Sequence, residues 1–355
     1  DTLVISPGTP NNPETYSLKG TNGLGTEFVT PFQTRWRNRT LTGDVNGDNL
    51  ADVIIGASGN DGTVYVLYGA STVVDSVDLS SYTFTASTGL KILGGGPSIG
   101  SIGSSISTGD VNGDGISDIL IGTSDDGGSG AVYVLFGSTD LPILIELLYF
   151  APSNSVGFMV SGSVSAVGSG DVNNDGVCDI LIGASSSTHH MRTNAGEAIV
   201  VYGINQQVAF NALDLATFYT SSSTGLIVQG TDTGDNTGSI GTITTAGDVN
   251  NDGYIDFIIA APQASFPGRN LCGIVYVIFG GTDLTPYDLD LLDFASSNTT
   301  GFRVIGALSD DQLGFSVTST DFNNDGYSDV IMSVRQSEPS VYVVWGHSGD
   351  IPYYD

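Results

Sequence analysis

Short apolar runs interrupted by polar turns fill the chain, and their order repeats. The runs "TVYVLYG" (63–69), "AVYVLFG" (131–137), "AIVVYG" (198–203), "IVYVIFG" (274–280) and "SVYVVWG" (340–346) are rich in β-branched and aromatic residues and end at Gly. A second set follows four of them: "GLKILGG" (89–95), "GFMVSG" (157–162), "GLIVQG" (225–230) and "GFRVIG" (301–306). Ahead of each first-set run stands an acidic stretch that opens into an apolar one, as in "GDVNNDGYIDFIIAAP" (247–262). A shorter run precedes each acidic stretch, "GFSVTST" (314–320) being an example. Each unit therefore reads as four short strands. Helical periodicity is weak, and "ALDLATFY" (212–219) is the best candidate for a helical turn.

The acidic stretches set the period. "GDVNGDNLADVIIGA" begins at Gly43, "GDVNGDGISDILIGT" at Gly109, "GDVNNDGVCDILIGA" at Gly170, "GDVNNDGYIDFIIAA" at Gly247 and "TDFNNDGYSDVIMSV" at Thr320. Tandem four-stranded units predict an all-β fold, a β-propeller of five four-stranded blades. The last unit supplies three strands. "TYSLKG" (15–20) looks like an outer strand without a unit of its own, so it is expected to close the last blade. The expected divisions are an N-terminal extension (1–14), the propeller (15–346) and a C-terminal tail (347–355).

Each acidic loop reads D-x-N-x-D-G-x-x-D, with Asn49 in place of Gly in the first. Side-chain oxygens at positions 1, 3, 5 and 9 and a backbone carbonyl at position 7 suit one hard cation. The candidate ligands are Asp44, Asn46, Asp48, Leu50 and Asp52; Asp110, Asn112, Asp114, Ile116 and Asp118; Asp171, Asn173, Asp175, Val177 and Asp179; Asp248, Asn250, Asp252, Tyr254 and Asp256; and Asp321, Asn323, Asp325, Tyr327 and Asp329. An EF-hand needs Glu at position 12, where this chain has Ile55, Ile121, Ile182, Ile259 and Met332. The loop therefore feeds a strand rather than a helix. Oxygen ligands without Cys or His favour calcium over zinc, and the flexible cage favours it over magnesium. Such residues also make a good metal-free turn. Five copies with one carboxylate pattern favour the cation, giving about five structural Ca²⁺.

These units resemble FG-GAP repeats, the blades of the integrin α-subunit propeller, over roughly residues 15–346. The acidic loop carries most of the likeness; Gly314-Phe315 keeps the "FG" letters reversed and Ala260-Ala261-Pro262 approximates "GAP". The resemblance implies calcium-binding β-hairpin loops and a binding or adhesion role. Integrin-type propellers have seven blades and only five are visible here, so integrin-like partners do not follow.

Charge narrows the partners. The chain has 38 acidic and 9 basic residues, a net charge of −29. That excludes a phosphate-binding nucleic-acid protein and disfavours anionic membranes. Five Ca²⁺ would cancel ten of these charges, leaving −19. No run of eighteen apolar residues marks a membrane span. The sequons at Asn38 and Asn298 suit a secreted or cell-surface glycoprotein. Cys178 and Cys272 are candidates for one disulfide between the third and fourth units. The chain opens at Asp1 without Met or a signal peptide, which reads as a mature or trimmed form, and the tail begins like another inter-blade link.

No G-x-S-x-G, H-E-x-x-H or phosphate loop appears, so a non-enzymatic role is expected. His189-His190 sits in a polar insertion and His347 has no evident partner in the sequence. "TRWRNRT" (34–40) gathers Arg35, Arg37 and Arg39 around Trp36, either a decorated loop or a contact for an acidic partner. The expected function is a calcium-stabilised extracellular binding module with a protein or glycan ligand. The alternatives are a subunit of a self-assembling fibre joined through its terminal segments, in which "DTLVIS" (1–6) docks on a neighbour, and a carbohydrate-binding propeller.

Overall fold

A computed structural model of the chain describes residues 3–7, 15–21, 27–33 and 39–348, apart from residues 59–61, 71–76, 95–100, 125–129, 186, 188–191, 193–194, 204–212, 232–242, 283, 285–287 and 336–339. The described residues form strands and three single-turn 3-10 helices. The chain divides into two compact units, residues 1–104 with 138–150, and residues 105–137 with 151–355.

At the N-terminus, β1 (Leu3–Pro7), β2 (Thr15–Thr21) and β3 (Glu27–Gln33) form a three-stranded antiparallel sheet. Leu3 pairs with Gly20, and Thr15 with Gln33. This corrects the expected closure. The segment 15–20 has β1 on one edge and β3 on the other, so neither edge is left to pair with the last described strand, Val341–Val344. Pairing with strands adjacent in sequence closes far shorter loops than pairing with the chain's other end. Of "DTLVIS", Leu3–Ser6 are described, and they pair within this sheet.

The repeats follow one plan. The first has β4 (Arg39–Gly43), β5 (Asp52–Ala57), β6 (Thr63–Leu67) and β7 (Gly89–Leu93). The second has β8 (Ser101–Gly109), β9 (Asp118–Ser124) and β10 (Gly130–Leu135), then a short β11 (Leu144–Glu146), then β12 (Gly157–Gly162). The third repeats this with β13 (Ala166–Gly170), β14 (Asp179–Ala184), β15 (Glu197–Val201), β16 (Leu213–Asp214) and β17 (Gly225–Gln229). The fourth has β18 (Ile243–Gly247), β19 (Asp256–Ala261), β20 (Ile274–Ile278), β21 (Asp288–Asp290) and β22 (Gly301–Ile305). The fifth has β23 (Val317–Thr320), β24 (Asp329–Ser333) and β25 (Val341–Val344) and forms a three-stranded sheet.

Within a repeat the main strands pair antiparallel in chain order. The short extra strands do something else: β11, β16 and β21 each lie parallel along the fourth strand of the preceding repeat, β7, β12 and β17. Each clasp covers an edge that would otherwise offer unpaired backbone groups. A 3-10 turn follows each, at Leu147–Tyr149, Leu215–Thr217 and Leu291–Asp293. The second is the helical turn expected within 212–219.

A Ser/Thr turn then starts the fourth strand at Gly89, Gly157, Gly225 or Gly301, with φ between +123° and +137°. A Cβ at these glycines would overlap the carbonyl oxygens of Val66, Val134, Val200 and Val277. Glycine is required at all four.

In the second unit the sheets pack face to face. Along β14, Leu181 joins a core shared with Phe257, Ile259 and Tyr276 of the fourth repeat. Its neighbours Ile180 and Ile182 face the other way, against Leu120, Val132 and Val134 of the second. Along β19, Ile258 and Ala260 turn to Val330 and Met332 of the fifth. Alternate side chains serve opposite faces, which is why β14, β15, β19 and β20 are buried throughout and read as continuous apolar runs. In the first unit, β5 and β6 instead alternate buried and half-buried positions, with Ile54, Val64, Val66, Leu90 and Ile92 fully buried in their sheet.

Candidate metal centre

The five acidic loops join the first and second main strands of each repeat, and they share one hydrogen-bond geometry. The position-1 carboxylate accepts the N–H groups of positions 5 and 6. In the fourth loop, Asp248 Oδ1 accepts from Asp252 at 3.1 Å and Oδ2 from Gly253 at 2.9 Å. Asp44, Asp110, Asp171 and Asp321 do the same in theirs. The position-3 amide oxygen accepts the position-5 N–H, as Asn46, Asn112, Asn173, Asn250 and Asn323 show. The same Asn side chains donate to the carboxylates of Asp48, Asp114, Asp175, Asp252 and Asp325 at 2.8–3.1 Å. Those carboxylates in turn accept the N–H of Leu50, Ile116, Val177, Tyr254 and Tyr327 at position 7.

Two left-handed residues bend each loop. Position 6 is Asn49, Gly115, Gly176, Gly253 or Gly326, all with positive φ. Position 4 is also left-handed: Gly47, Gly113, Asn174, Asn251 and Asn324. Sequence reasoning missed position 4, although its restriction to Gly and Asn was a readable signal.

Position 9 is different. Asp52, Asp118, Asp179, Asp256 and Asp329 are wholly buried. One oxygen accepts the N–H of loop position 2, from Val45, Val111, Val172, Val249 and Phe322, at 2.8–2.9 Å. The other accepts the N–H of the Gly ending the third strand, Gly69, Gly137, Gly203, Gly280 or Gly346, at 2.8–2.9 Å. The donor must be Gly because a Cβ at Gly69, Gly203, Gly280 or Gly346 would overlap the carbonyl oxygen of Ala51, Cys178, Ile255 or Ser328. Burial pushes Asp118 up to about 8 and Asp179 and Asp256 up to about 7. The two backbone donors pull each one down, and the carboxylates at positions 5 and 1 add repulsion.

Among the described residues no three His, Cys, Asp or Glu side chains gather into a ready cation cage. The loop carboxylates are instead turned toward backbone N–H groups. The donor set still fits calcium: a carboxylate has about four acceptor sites, so an oxygen engaged by one N–H keeps room for a cation. Each loop also sets like charges together with no basic side chain among the loop's own residues.

The loops double as joints between repeats. Their backbone carbonyls at position 1 or 2 accept N–H groups from the next repeat. Ser138 donates to Val45, Cys178 to Asp110, Gly281 to Val172, Ser328 to Asp248 and His347 to Val249, at 2.8–3.1 Å. His347, without an evident partner in the sequence, thus has a backbone one. The position-2 Val of the first four loops is fully buried, whereas Phe322 in the fifth is 65% exposed and lies 6.2 Å from the ring of Trp345.

The expected disulfide is absent, since both cysteines are free. Cys178 lies against Gly109, while the buried Cys272 turns its Sγ to the carbonyl of Ala264. Each faces its own local partner. Asn298 is exposed in the turn before β22. Asn38, His189-His190, most of "TRWRNRT" and most of the C-terminal tail lie outside the described residues. Arg192, unremarked in the sequence, makes a bidentate pair with Asp290 of the β21 clasp, at 2.9 and 2.7 Å.

Residues 37–67, 102–135 and 240–278 match the FG-GAP repeat family. These segments are FG-GAP repeats. Each contains an acidic loop and the latched strands around it. Among curated proteins, the chain is 30% identical to Integrin alpha pat-2 of Caenorhabditis elegans over 240 residues, 66% of this chain and 18% of that protein. It is 40% identical to Integrin alpha-M of Mus musculus over 89 residues, 23% of this chain and 7% of that protein. It is also 36% identical to Phosphatidylinositol-glycan-specific phospholipase D of Rattus norvegicus over 115 residues, 30% of this chain and 13% of that protein. The FG-GAP repeats here thus resemble those of an integrin-type propeller, while the chain spans less than a fifth of the length of these relatives. No helix among the described residues is long and apolar enough to cross a membrane.

Proposed function

We propose that this chain is an extracellular, calcium-stabilised β-propeller module that binds a protein or glycan partner and performs no catalysis. The observation that carries the reading is the five-fold recurrence of one loop geometry. In each loop hydrogen bonds tie together the Asp at position 1, the Asn at position 3 and the Asp at position 5, as in Asp248, Asn250 and Asp252, and the Asp at position 9 is fully buried. A Ca²⁺ in the fourth loop would take Asp248, Asn250, Asp252, the Tyr254 carbonyl and Asp256, and the other loops would use matching positions. The ion would neutralise the cluster and hold the joints between repeats. The integrin likeness supports adhesion or binding over catalysis. The likeness to a phospholipase covers too small a part of that protein to carry its activity here.

The test is binding of the purified chain to arrays of extracellular proteins and glycans, with calcium and with chelator. Calcium-dependent capture by a defined protein or glycan supports the module. Turnover of a glycan or lipid substrate by the purified chain contradicts the non-catalytic part.

One observation favours a second reading, a self-assembling fibre subunit. Among the described residues strand β25 pairs on one side only, and Val341 and Tyr342 on it and Trp345 just beyond it are between 46% and 65% exposed. An open apolar edge can pair with another chain. Light scattering separates the readings: the module stays a single particle as concentration rises with calcium present, whereas the fibre subunit grows.

A further inference from the structure

The joints between repeats stop at two ends, and the ends are complementary. In the first four loops the carbonyl at position 1 or 2 accepts an N–H from the next repeat. Among the described residues the Asp321 and Phe322 carbonyls of the fifth loop accept no backbone N–H. The donors stand either at loop position 8, as Cys178 and Ser328 do, or directly after the Gly that ends the third strand, as Ser138, Gly281 and His347 do. The second to fifth repeats each donate from at least one of these places. The first repeat has Ala51 and Ala70 there; both are exposed, and neither donates to a described backbone carbonyl.

The apolar faces follow the same rule. A filled joint is seen where Val111, Val132 and Phe136 of the second repeat pack with Ile180, Ile182 and Val201 of the third in one buried cluster. The fifth repeat has Phe322, Val341 and Trp345 at the places of Val111, Val132 and Phe136. Phe322 and Val111 share loop position 2, and Trp345 and Phe136 each precede the Gly that ends the third strand. Val341 pairs with Ser333 as Val132 pairs with Gly122, at matching distances from the position-9 Asp. Yet Phe322, Val341 and Trp345 are exposed. The first repeat has Val53, Ile55 and Leu67 at the places of Ile180, Ile182 and Val201, with Val53 opposite Leu67 as Ile180 is opposite Val201. These three are only half-buried. The fifth repeat thus offers acceptors and one half of an apolar joint, and the first offers donors and the other half.

We propose that a second copy of this chain docks its first repeat on the exposed face of the fifth repeat, remaking between copies the joint that links neighbouring repeats. Val53, Ile55 and Leu67 of one copy cover Phe322, Val341 and Trp345 of the other. Ala51 donates to the Asp321 carbonyl as Ser328 does to Asp248, and Ala70 to the Phe322 carbonyl as His347 does to Val249. Exposed aromatic residues are favoured anchors for such a contact. The two faces differ, so the contact is head to tail and each pair of copies keeps one face of each kind free for the next. The proposal rests on the self-assembly reading above and names its joint, a sheet face rather than the open edge of β25.

The experiment follows the mass of the full chain by light scattering as its concentration rises, with calcium present and at ~0.15 M salt to screen repulsion between acidic copies. The parent chain should grow. Phe322→Glu and Val341→Glu on one face, and Ala51→Glu and Ala70→Glu on the other, should each raise the concentration needed for growth by about tenfold or more. All four positions are exposed, and melting curves check that each variant is folded. Phe322→Glu keeps the first-repeat face and Ala70→Glu keeps the fifth-repeat face. Mixed, these two variants should form a one-to-one complex that grows no further, although neither associates alone. A parent chain that grows together with four variants that grow equally well leaves self-assembly standing and overturns this joint. Variants that stop growth but form no mixed complex also overturn it, since a head-to-tail contact must complement. A parent chain that stays a single particle at every concentration overturns both the joint and the self-assembly reading.

Discussion

Asp256 accepts the N–H of Gly280 at 2.9 Å, and the same carboxylate accepts the N–H of Val249 at 2.8 Å. One buried side chain thus ties the start of an acidic loop to the end of the third strand. Asp256→Ala leaves the buried N–H of Val249 and the half-buried N–H of Gly280 without partners, at up to about 1–3 kcal/mol each. Chemical denaturation should show a loss of up to about 2–6 kcal/mol. Asp256→Asn keeps one acceptor and should lose less. Equal losses for the two variants would contradict the latch.

Gly301 has φ +123°, and a Cβ there overlaps the Val277 carbonyl. Gly301→Ala should therefore destabilise the protein by more than about 1 kcal/mol. Alanine at Gly281, which donates to Val172 but meets only the end of Leu284, should cost less. The melting temperatures of the two variants check the contrast.

Both cysteines are free, and burial pushes the Cys272 thiol up. Unreduced protein, once denatured, should release two thiols to a thiol reagent. In the native state Cys272 should react slowly at pH 8, because it is buried and little of it is thiolate. A bridged pair would give none.

The repeats and the acidic loops were legible because each motif recurs in step with the strands. Runs of β-branched and aromatic residues ending at Gly marked the strands, and Asp at position 9 marked where each second strand begins. The residues at positions 1, 3 and 5 do come together in each loop. Three features were not legible. The clasps β11, β16 and β21 are two or three residues long, too short for any periodicity, and they pair with the preceding repeat. The place of 15–20 depended on competition among strand edges, and the neighbouring β1 and β3 took both. The dual role of position 9 was hidden because its second partner lies 17 to 24 residues away. The clue was the Gly ending each third strand.

Asp252→Ala removes one candidate ligand and leaves the buried latch at Asp256 intact. It should weaken one calcium site with a smaller stability change in chelator than Asp256→Ala produces. Titrations of the two variants beside the parent chain check the order.

The most direct measurement of the central claim is a calorimetric calcium titration of chelator-treated, dialysed chain, paired with thermal unfolding. The account predicts about five Ca²⁺ per chain. At ~1 mM calcium and dissociation constants of ~10⁻⁴–10⁻³ M, each site adds about 0.4–1.4 kcal/mol, so the melting temperature should rise clearly. No calcium heat, together with a melting temperature unchanged between calcium and chelator, would contradict it.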